Sequence, residues 1–330
     1  MRALLIDHNA PNHLRLGEAP DPVPGPAQVV IQVVGTSLNR GEVAFRAPAA
    51  DEGTVLGWDA SGIVVTRAVD GSGPAEGKAV LTVDGGGGGW AELRAVDTAS
   101  LAVVPDRSDL AAFAALPVAG LSALRALRTL GTVEGCRILI TGASGGVGRY
   151  AVQLGARAGA EVIAVASPQN HQELIALGAS AAVTRPSEVD GRVFAVIDMV
   201  GGDLLPESYR VLQDHGGTLL SVGHVAAKPE VFEVGDMQAK SRTIRGFYLF
   251  ADLTGIAEDL AELVALMSDG SLDPQITWRG PWTDHAEAIK LLLDRRLHGK
   301  AILEIASILA GDAAVRAGTA AGPYPGSDSR

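Results

Sequence analysis

The stretch "RILITGASGGVGRY", Arg137 to Tyr150, sets an apolar run directly before a cluster of small residues. Read as G-x-G-x-x-G, the cluster is Ala143, Ser144, Gly145, Gly146, Val147 and Gly148, with alanine in the first place. The needs of a dinucleotide-binding loop are still met. Gly145 lets the backbone approach a pyrophosphate, Gly148 lets a helix pack against the sheet, and the helix start offers free N–H groups with a partial positive charge. Val147, Ala151, Leu154 and Ala158 then recur at helical spacing. A glycine motif between a strand and a helix is far more specific than the letters alone. No GK[ST] stands at Walker spacing, and "EGKAV" has Ala79 where a hydroxyl is required, so P-loop phosphoryl transfer is disfavoured.

Outward from this loop, strand and helix patterns alternate. "EVIAVA" reads as a strand, Gln169 to Leu177 as a helix, and "AAVT" and "VFAVIDMV" as strands. A helix after Gly202 and the strand "GTLLSVG" complete the series. Such alternation predicts a parallel sheet covered on both faces. The region before residue 116 is β-rich, with "AQVVIQVVGTSLN" and "ASGIVVTRAV" separated by Pro/Gly turns. Five consecutive glycines, Gly85 to Gly89, are expected to form a flexible surface loop. Further on, "TIRGFYLF" is a candidate last strand, "GIAEDLAELVALMSDG" an amphipathic helix ending at Gly270, and "KAILEIA" a final strand. Beyond Gly311 the chain reads as a loose tail.

Composition fits a globular enzyme: 330 residues, 47% apolar, 20% charged, formal charge −11. No basic patch indicates a nucleic-acid partner. A single cysteine, Cys136, rules out an intrachain disulfide and a multi-cysteine zinc site, and points to a reducing, cytoplasmic setting. The apolar stretches are too short or too interrupted for a secretory signal or a membrane span.

The second strand of the series ends "AVASPQNH". NAD enzymes carry an acidic residue about 20 residues past the glycines to hold the adenosine ribose. Here Ala166, Ser167 and Pro168 stand at that point, with His171 nearby and Arg185 past the third strand. The missing acid favours NADP(H), although all three polar residues also read as ordinary solvated loop positions.

The loop also fits T-G-x-x-x-G-x-G, as Thr141, Gly142, Gly146 and Gly148, which resembles short-chain dehydrogenases/reductases. That family needs a Tyr-x-x-x-Lys pair and a loop near the chain start. Leu154, Gln213 and Asp252 follow Tyr150, Tyr209 and Tyr248 by four residues, and some 135 residues precede the strand. A second resemblance covers nearly the whole chain. The stretches "GTSLNRGEV", "GWDASGIVV", "GGWAEL", "ALPVAGLSAL", "ILITGASGGVGRYAVQL", "IDMVGG", "TIRGFY" and "HGKAILE" occur in the order of the medium-chain dehydrogenase/reductase superfamily. Within it the chain resembles the zinc-independent quinone oxidoreductase-like (enoyl reductase-like) branch.

That resemblance implies an α/β protein with a GroES-like β-rich catalytic domain over residues 1–115. A Rossmann doubly wound parallel sheet binding NADP(H) would span 116–246, followed by a return to the catalytic domain over 247–310 and the tail at 311–330. Zinc alcohol dehydrogenases place ligands where this chain has Leu38 or its neighbours and Trp58, so the resemblance implies no metal. The implied reaction is zinc-free hydride transfer to an activated alkene, an enone or quinone. Asn39 matches the family's asparagine beside the nicotinamide, a candidate donor to the substrate carbonyl that also reads as a turn cap. Tyr248 is a candidate proton donor that also reads as strand packing. Asp59 is positioned to fix Asn39, Arg40 or water, or to bond backbone. The resemblance assigns cofactor contacts to Ser122, Ser144, Gly145, Gly146, Val147, Gly148, Gly223, His224, Phe247, Tyr248 and Lys300, besides Asn39. It also implies a homodimer. Two alternatives are an enoyl reductase of polyketide or acyl-thioester substrates and an inactive NADPH-binding protein.

Overall fold

The computed structural model describes residues 1–238 and 240–305. An antiparallel hairpin opens the chain, β1 (Arg2–Ile6) against β2 (Leu14–Glu18). β3 (Gln28–Ser37), β4 (Asp59–Thr66), β5 (Ala79–Val83), β6 (Leu93–Asp97) and β7 (Leu101–Val103) follow. The short helix α1 (Leu110–Phe113) leads into α2 (Pro117–Leu130). Proline at the start of α2 and Gly131 at its end, with φ +80°, supply start and stop signals.

Strands and helices then alternate: β8 (Arg137–Thr141), α3 (Gly146–Arg157), β9 (Glu161–Val165), α4 (His171–Ala176), β10 (Ala181–Val183), β11 (Ala195–Asp198), α5 (Leu204–Val211) and β12 (Thr218–Ser221). The short helix α6 (Val234–Met237) precedes β13 (Thr243–Gly246). These strands form a six-stranded, all-parallel sheet in the order β10-β9-β8-β11-β12-β13. Chain direction across the sheet reverses between β8 and β11, and ligands of open α/β sheets bind outside the carboxyl ends at such a point. The glycine loop leaves β8 there. β8, β9 and β11 are buried along almost their whole length, because helices cover both faces. β13 is the edge strand, and all four of its residues are exposed.

The chain then returns through α7 (Ile256–Ser268), β14 (Ile276–Pro281), α8 (His285–Leu293) and β15 (Lys300–Glu304). β15 runs antiparallel to β3, with Ile302 opposite Ser37, and so closes the first sheet in the order β14-β15-β3-β4-β5-β7, with β6 also on β3. Continuing that register sets Lys300 opposite Asn39, with the Leu38 amide donating to the Ala301 carbonyl at 3.2 Å. One core, built on α2, α3, α7 and the strands they cover, includes Tyr150, Leu154 and Leu263. A second fills the β-rich region around Trp90, Ile31 and Leu56. The tail expected beyond Gly311 lies outside the described residues.

The five-glycine run differs from the free surface loop expected of it. Gly89 N donates to Gly57 O at 2.8 Å, Gly88 N to Val55 O at 3.1 Å, and Trp90 N to Leu56 O at 3.0 Å. Gly89 is buried, and a Cβ there would lie 2.5 Å from the Asp59 carbonyl oxygen. Glycine is used here for backbone-on-backbone contact behind Asp59.

Candidate active site

The glycine loop has the form of an anion cradle. Gly142 turns the chain with φ +61°, Gly145 N donates back to Gly142 O at 3.0 Å, and α3 begins with no side-chain cap. Its first N–H groups therefore lack side-chain partners and point at the loop opening. A Cβ on Gly148 would come within 2.3 Å of Gly142 O, which fixes glycine at the helix–loop contact. The Lys300 side chain lies over the cradle, with Cδ 3.1 Å from the position of a Cβ on Gly146. Arg149, nearly buried, donates to Ser144 O at 3.1 Å and to Gln275 Oε1 at 2.6 Å, and pairs with Glu173.

The other half of the site is a buried polar cluster where β3 ends and β4 begins. Asp59, fully buried, accepts from Val118 N at 2.7 Å, Asn39 Nδ2 at 2.7 Å and the Ser37 hydroxyl. Glu42, also fully buried, accepts from Asn39 N at 3.0 Å, Asn39 Nδ2 at 2.9 Å and Trp58 N. Lys300 Nζ donates to Asn39 Oδ1 at 2.8 Å and stands 3.6 Å from Asp59 Oδ2. Arg94, 2% exposed, reaches Trp58 O with Nη1 at 3.1 Å. Its Nε and Nη2 have no hydrogen-bond partner among the described residues. Burial and the neighbouring Asp59 carboxylate push Glu42 up to about 8, while the donated N–H groups pull the other way. Burial likewise lowers Lys300, and Asp59 and Glu42 oppose it.

This geometry corrects the part expected of Asn39. Both of its amide hydrogens are committed, one to Glu42 and one to Asp59, so none is left for a substrate carbonyl. Arg40, considered as a partner for Asp59, donates instead to Leu292 O at 3.0 Å. Tyr248 stands outside the cluster: it is 64% exposed, and its ring meets Phe250 edge-on at 5.7 Å. Phe250 in turn meets Trp58 edge-on at 5.2 Å, so an aromatic wall runs from the cluster outward. Phe247, half-buried, packs against the larger core.

At the adenosine end, Ser167 follows β9 and His171 Nε2 lies 2.9 Å from the Ala166 carbonyl, so these two come together. Arg185 does not join them, because its guanidinium pairs with Glu207 of α5. Ser122 is buried on α2. Gly223 packs under Met199, where a Cβ would lie 2.7 Å from Met199 O. His224 Nε2 lies 3.0 Å from Lys228 O and 3.2 Å from Glu230 Oε1, beside Gly201. Buried Asp198 joins β8 to β11 by accepting from Thr141 Oγ1 at 2.5 Å and Gly201 N at 2.8 Å, and burial raises its pKa.

Ser37, Glu42 and Arg94 are the residues of this cluster that sequence reasoning missed. Glu42 had a signal: Asn39-x-x-Glu42 has the spacing of a capping box, in which an acidic side chain three residues on reaches back to the cap N–H. That bond is present at 3.0 Å. Arg94 carries no such signal, since a charged residue in an amphipathic strand normally faces water.

The family profile described as "Zinc-binding dehydrogenase" matches residues 169–303. A chloroplast envelope quinone oxidoreductase homolog of Arabidopsis thaliana is 32% identical over 66% of this chain and 69% of that protein. The chain belongs to the medium-chain dehydrogenase/reductase superfamily, in its quinone oxidoreductase-like branch. The quinone oxidoreductase of Coxiella burnetii superposes on this chain with a TM-score of 0.81 at 28% identity, covering 93% of this chain and 99% of that one. The spectinabilin polyketide synthase system protein NorB of Streptomyces orinoci is 32% identical over 84% of this chain, which spans only 13% of NorB. Among the described residues no group of three or more His, Cys, Asp or Glu side chains is placed to hold a metal ion. Nor is any described helix long and apolar enough to cross a membrane.

Proposed function

We propose that this medium-chain dehydrogenase/reductase reduces activated double bonds, enones and quinones, with NADPH and without zinc. The observation that carries the proposal is the reach of Lys300, which spans from the glycine cradle at Gly146 to Asn39 in the buried cluster. The glycine loop would hold the phosphates of a dinucleotide, and Asn39 and Lys300 would stand on the side of its reactive ring. The N–H groups of Gly146, Val147 and Gly148 would hold the pyrophosphate, with Ser144 and Gly145 shaping the turn. Ser167 and His171 would face the adenosine ribose, where no acid stands to repel a 2′-phosphate. Arg185 joins them only if it leaves Glu207. Ser122, Gly223, His224 and Phe247 would border the nicotinamide half. When bound, reduced nicotinamide supplies a hydride. The chain's residues orient the ring, exclude water from the Asn39–Asp59–Lys300 cluster and keep its hydrogen bonds fixed. Leu38 and Trp58, standing where zinc enzymes carry ligands, favour conjugate reduction, which needs no metal to stabilise an alkoxide.

The similarity to NorB favours a second reading, reduction of an enoyl thioester. Initial rates with free enones, quinones and enoyl thioesters, each with NADPH and with NADH, test both readings. Turnover of free enones or quinones with NADPH is expected; faster turnover with NADH would overturn the cofactor assignment, and turnover of thioesters alone would establish the second reading. We further propose that a second copy pairs along β13. That edge is unpaired, and exposed Val231, Val234, Met237 and Ile244 lie on it or just before it. Light scattering at monomer mass would contradict the dimer.

A further inference from the structure

The segment that follows β13 carries three aromatic residues, Phe247, Tyr248 and Phe250. Its backbone is pinned along its length. Phe247 N donates to Ser221 O at 2.9 Å, and Ala251 N closes a turn on Tyr248 O at 3.1 Å. Arg125 of α2 then donates to Asp252 O at 2.5 Å and Thr254 O at 2.7 Å, while Asp259 of α7 holds Arg125 itself at 2.6 Å. Phe250 therefore springs from a fixed backbone, and its neighbours decide where the ring rests.

Gly85, the first of the five glycines, makes room for that ring: a Cβ there would lie 3.0 Å from Phe250 Cγ. The ring meets Trp58 edge-on at 5.2 Å, and the Trp58 amide is bonded to Glu42 at the edge of the polar cluster. It also meets Tyr248 edge-on at 5.7 Å. Tyr248 lines a groove of about 520 Å³ beside α2, whose walls include Arg128, Thr129, Gly246, Leu249 and Ala251. That volume falls in the range of small-molecule sites. Followed along the aromatic wall, the way from the cluster to this groove passes through Phe250.

We propose that Phe250 sets the upper size of the substrate: its ring closes the reaction site off from the groove beside α2, so compact enones and quinones are accepted and a long substituent is turned away. This rests on the reading above that the chain reduces enones or quinones. The ring acts by exclusion alone. An alkyl chain admitted to the groove gains by leaving water, and the ring denies it that gain. The role is therefore visible as a difference between substrates that share one reacting group, not as a loss of rate on all of them.

The test compares 1-penten-3-one with 1-octen-3-one, which differ only in the length of the alkyl chain beyond the carbonyl. In Phe250→Ala the ratio of kcat/KM for the longer enone over the shorter is expected to rise about tenfold. Phe250→Leu, which keeps apolar contact with Trp58 and Gly85, is expected to raise it about threefold, and it carries the test if the alanine variant does not fold. A second measurement needs no turnover. In protein saturated with NADP⁺, ligand-observed NMR titration should show 3-octanone bound about tenfold more tightly by Phe250→Ala than by wild type, with 3-pentanone within about twofold. A ratio within twofold of wild type in the folded variants, or an equal gain for both chain lengths, overturns the proposal. If wild-type protein reduces no enone, quinone or thioester, the functional reading fails; the ketone titration then decides alone, and 3-octanone bound no better by the variant sinks the gate as well.

Discussion

Two glycine-rich segments sit in the two halves of this protein and use the same residue for opposite ends. Around Gly142–Gly148, glycine opens space in front of a helix start, where N–H groups stay free and the Lys300 side chain passes overhead. Along Gly85–Gly89, glycine closes space: amides are spent on Val55 and Gly57, and Gly89 is pressed onto the Asp59 backbone. The count of glycines misleads about which segment is the cradle. What separates them is where the amides go: those at the start of α3 have no side-chain cap, whereas those of the five-glycine run are spent on neighbouring backbone.

The largest effect is expected at Asp59, whose carbonyl lies beneath Gly89 and whose carboxylate holds the cluster opposite the cradle. Asp59→Leu takes the carboxylate from Lys300 and from three further donors, Val118 N, Asn39 Nδ2 and the Ser37 hydroxyl, in a buried site and should reduce stability by about 3–5 kcal/mol, measured by urea unfolding. A loss under 1 kcal/mol would mean that the cluster contributes little to the fold. Next, Gly89→Ala and Gly148→Ala each force a methyl against a backbone oxygen, at 2.5 and 2.3 Å. Each should lose roughly 2–3 kcal/mol, and a tolerated Gly89→Ala would restore the picture of a free loop.

Gly145→Ala separates cradle from packing, because its Cβ would meet only Gly142 O, at 3.3 Å. Stability should change by less than about 1 kcal/mol while NADPH affinity, read by fluorescence titration, weakens about tenfold; the reverse pattern would show that Gly145 serves packing. A last effect, spread over several pH units, is one of pH. Glu42 is held up to about 8 when folded, so between the ordinary 4.5 and about 8 folding takes up a proton. Stability from this group is full below 4.5 and is lost as pH rises through about 8. Across that window, the unfolding free energy of wild type minus that of Glu42→Gln should fall by about 1 kcal/mol per pH unit at its steepest. A difference that stays flat would show that Glu42 is ionised throughout.

The parallel sheet was legible in the sequence because its central strands β8, β9 and β11 are buried on both faces and its helices are periodic: each of "RILIT", "EVIAVA", "AAVT", "VFAVIDMV", "GTLLSVG" and "TIRGFYLF" contains one of the six strands. The site was legible in part. Asn39, Asp59 and Lys300 were found through family-like stretches, but their mutual bonds depend on β15 returning to β3, a pairing over some 260 residues that local patterns do not encode. The amide of Asn39 was misjudged because its two carboxylate partners meet only in three dimensions. Arg185 reads from the sequence either as a cofactor contact or as a solvated loop residue; its guanidinium is drawn to Glu207 on a neighbouring helix.

Arg149 ties the glycine loop at Ser144, helix α4 at Glu173 and the turn at Gln275 with one guanidinium. The Gln275 carbonyl in turn accepts from the Lys300 amide at 2.8 Å, at the first residue of β15. One guanidinium and one amide join the glycine loop after β8 to the start of β15, where Lys300 lies over that loop. Arg149 is thus a tie across the cleft, joining the loop after β8 to the segment that leads into β14.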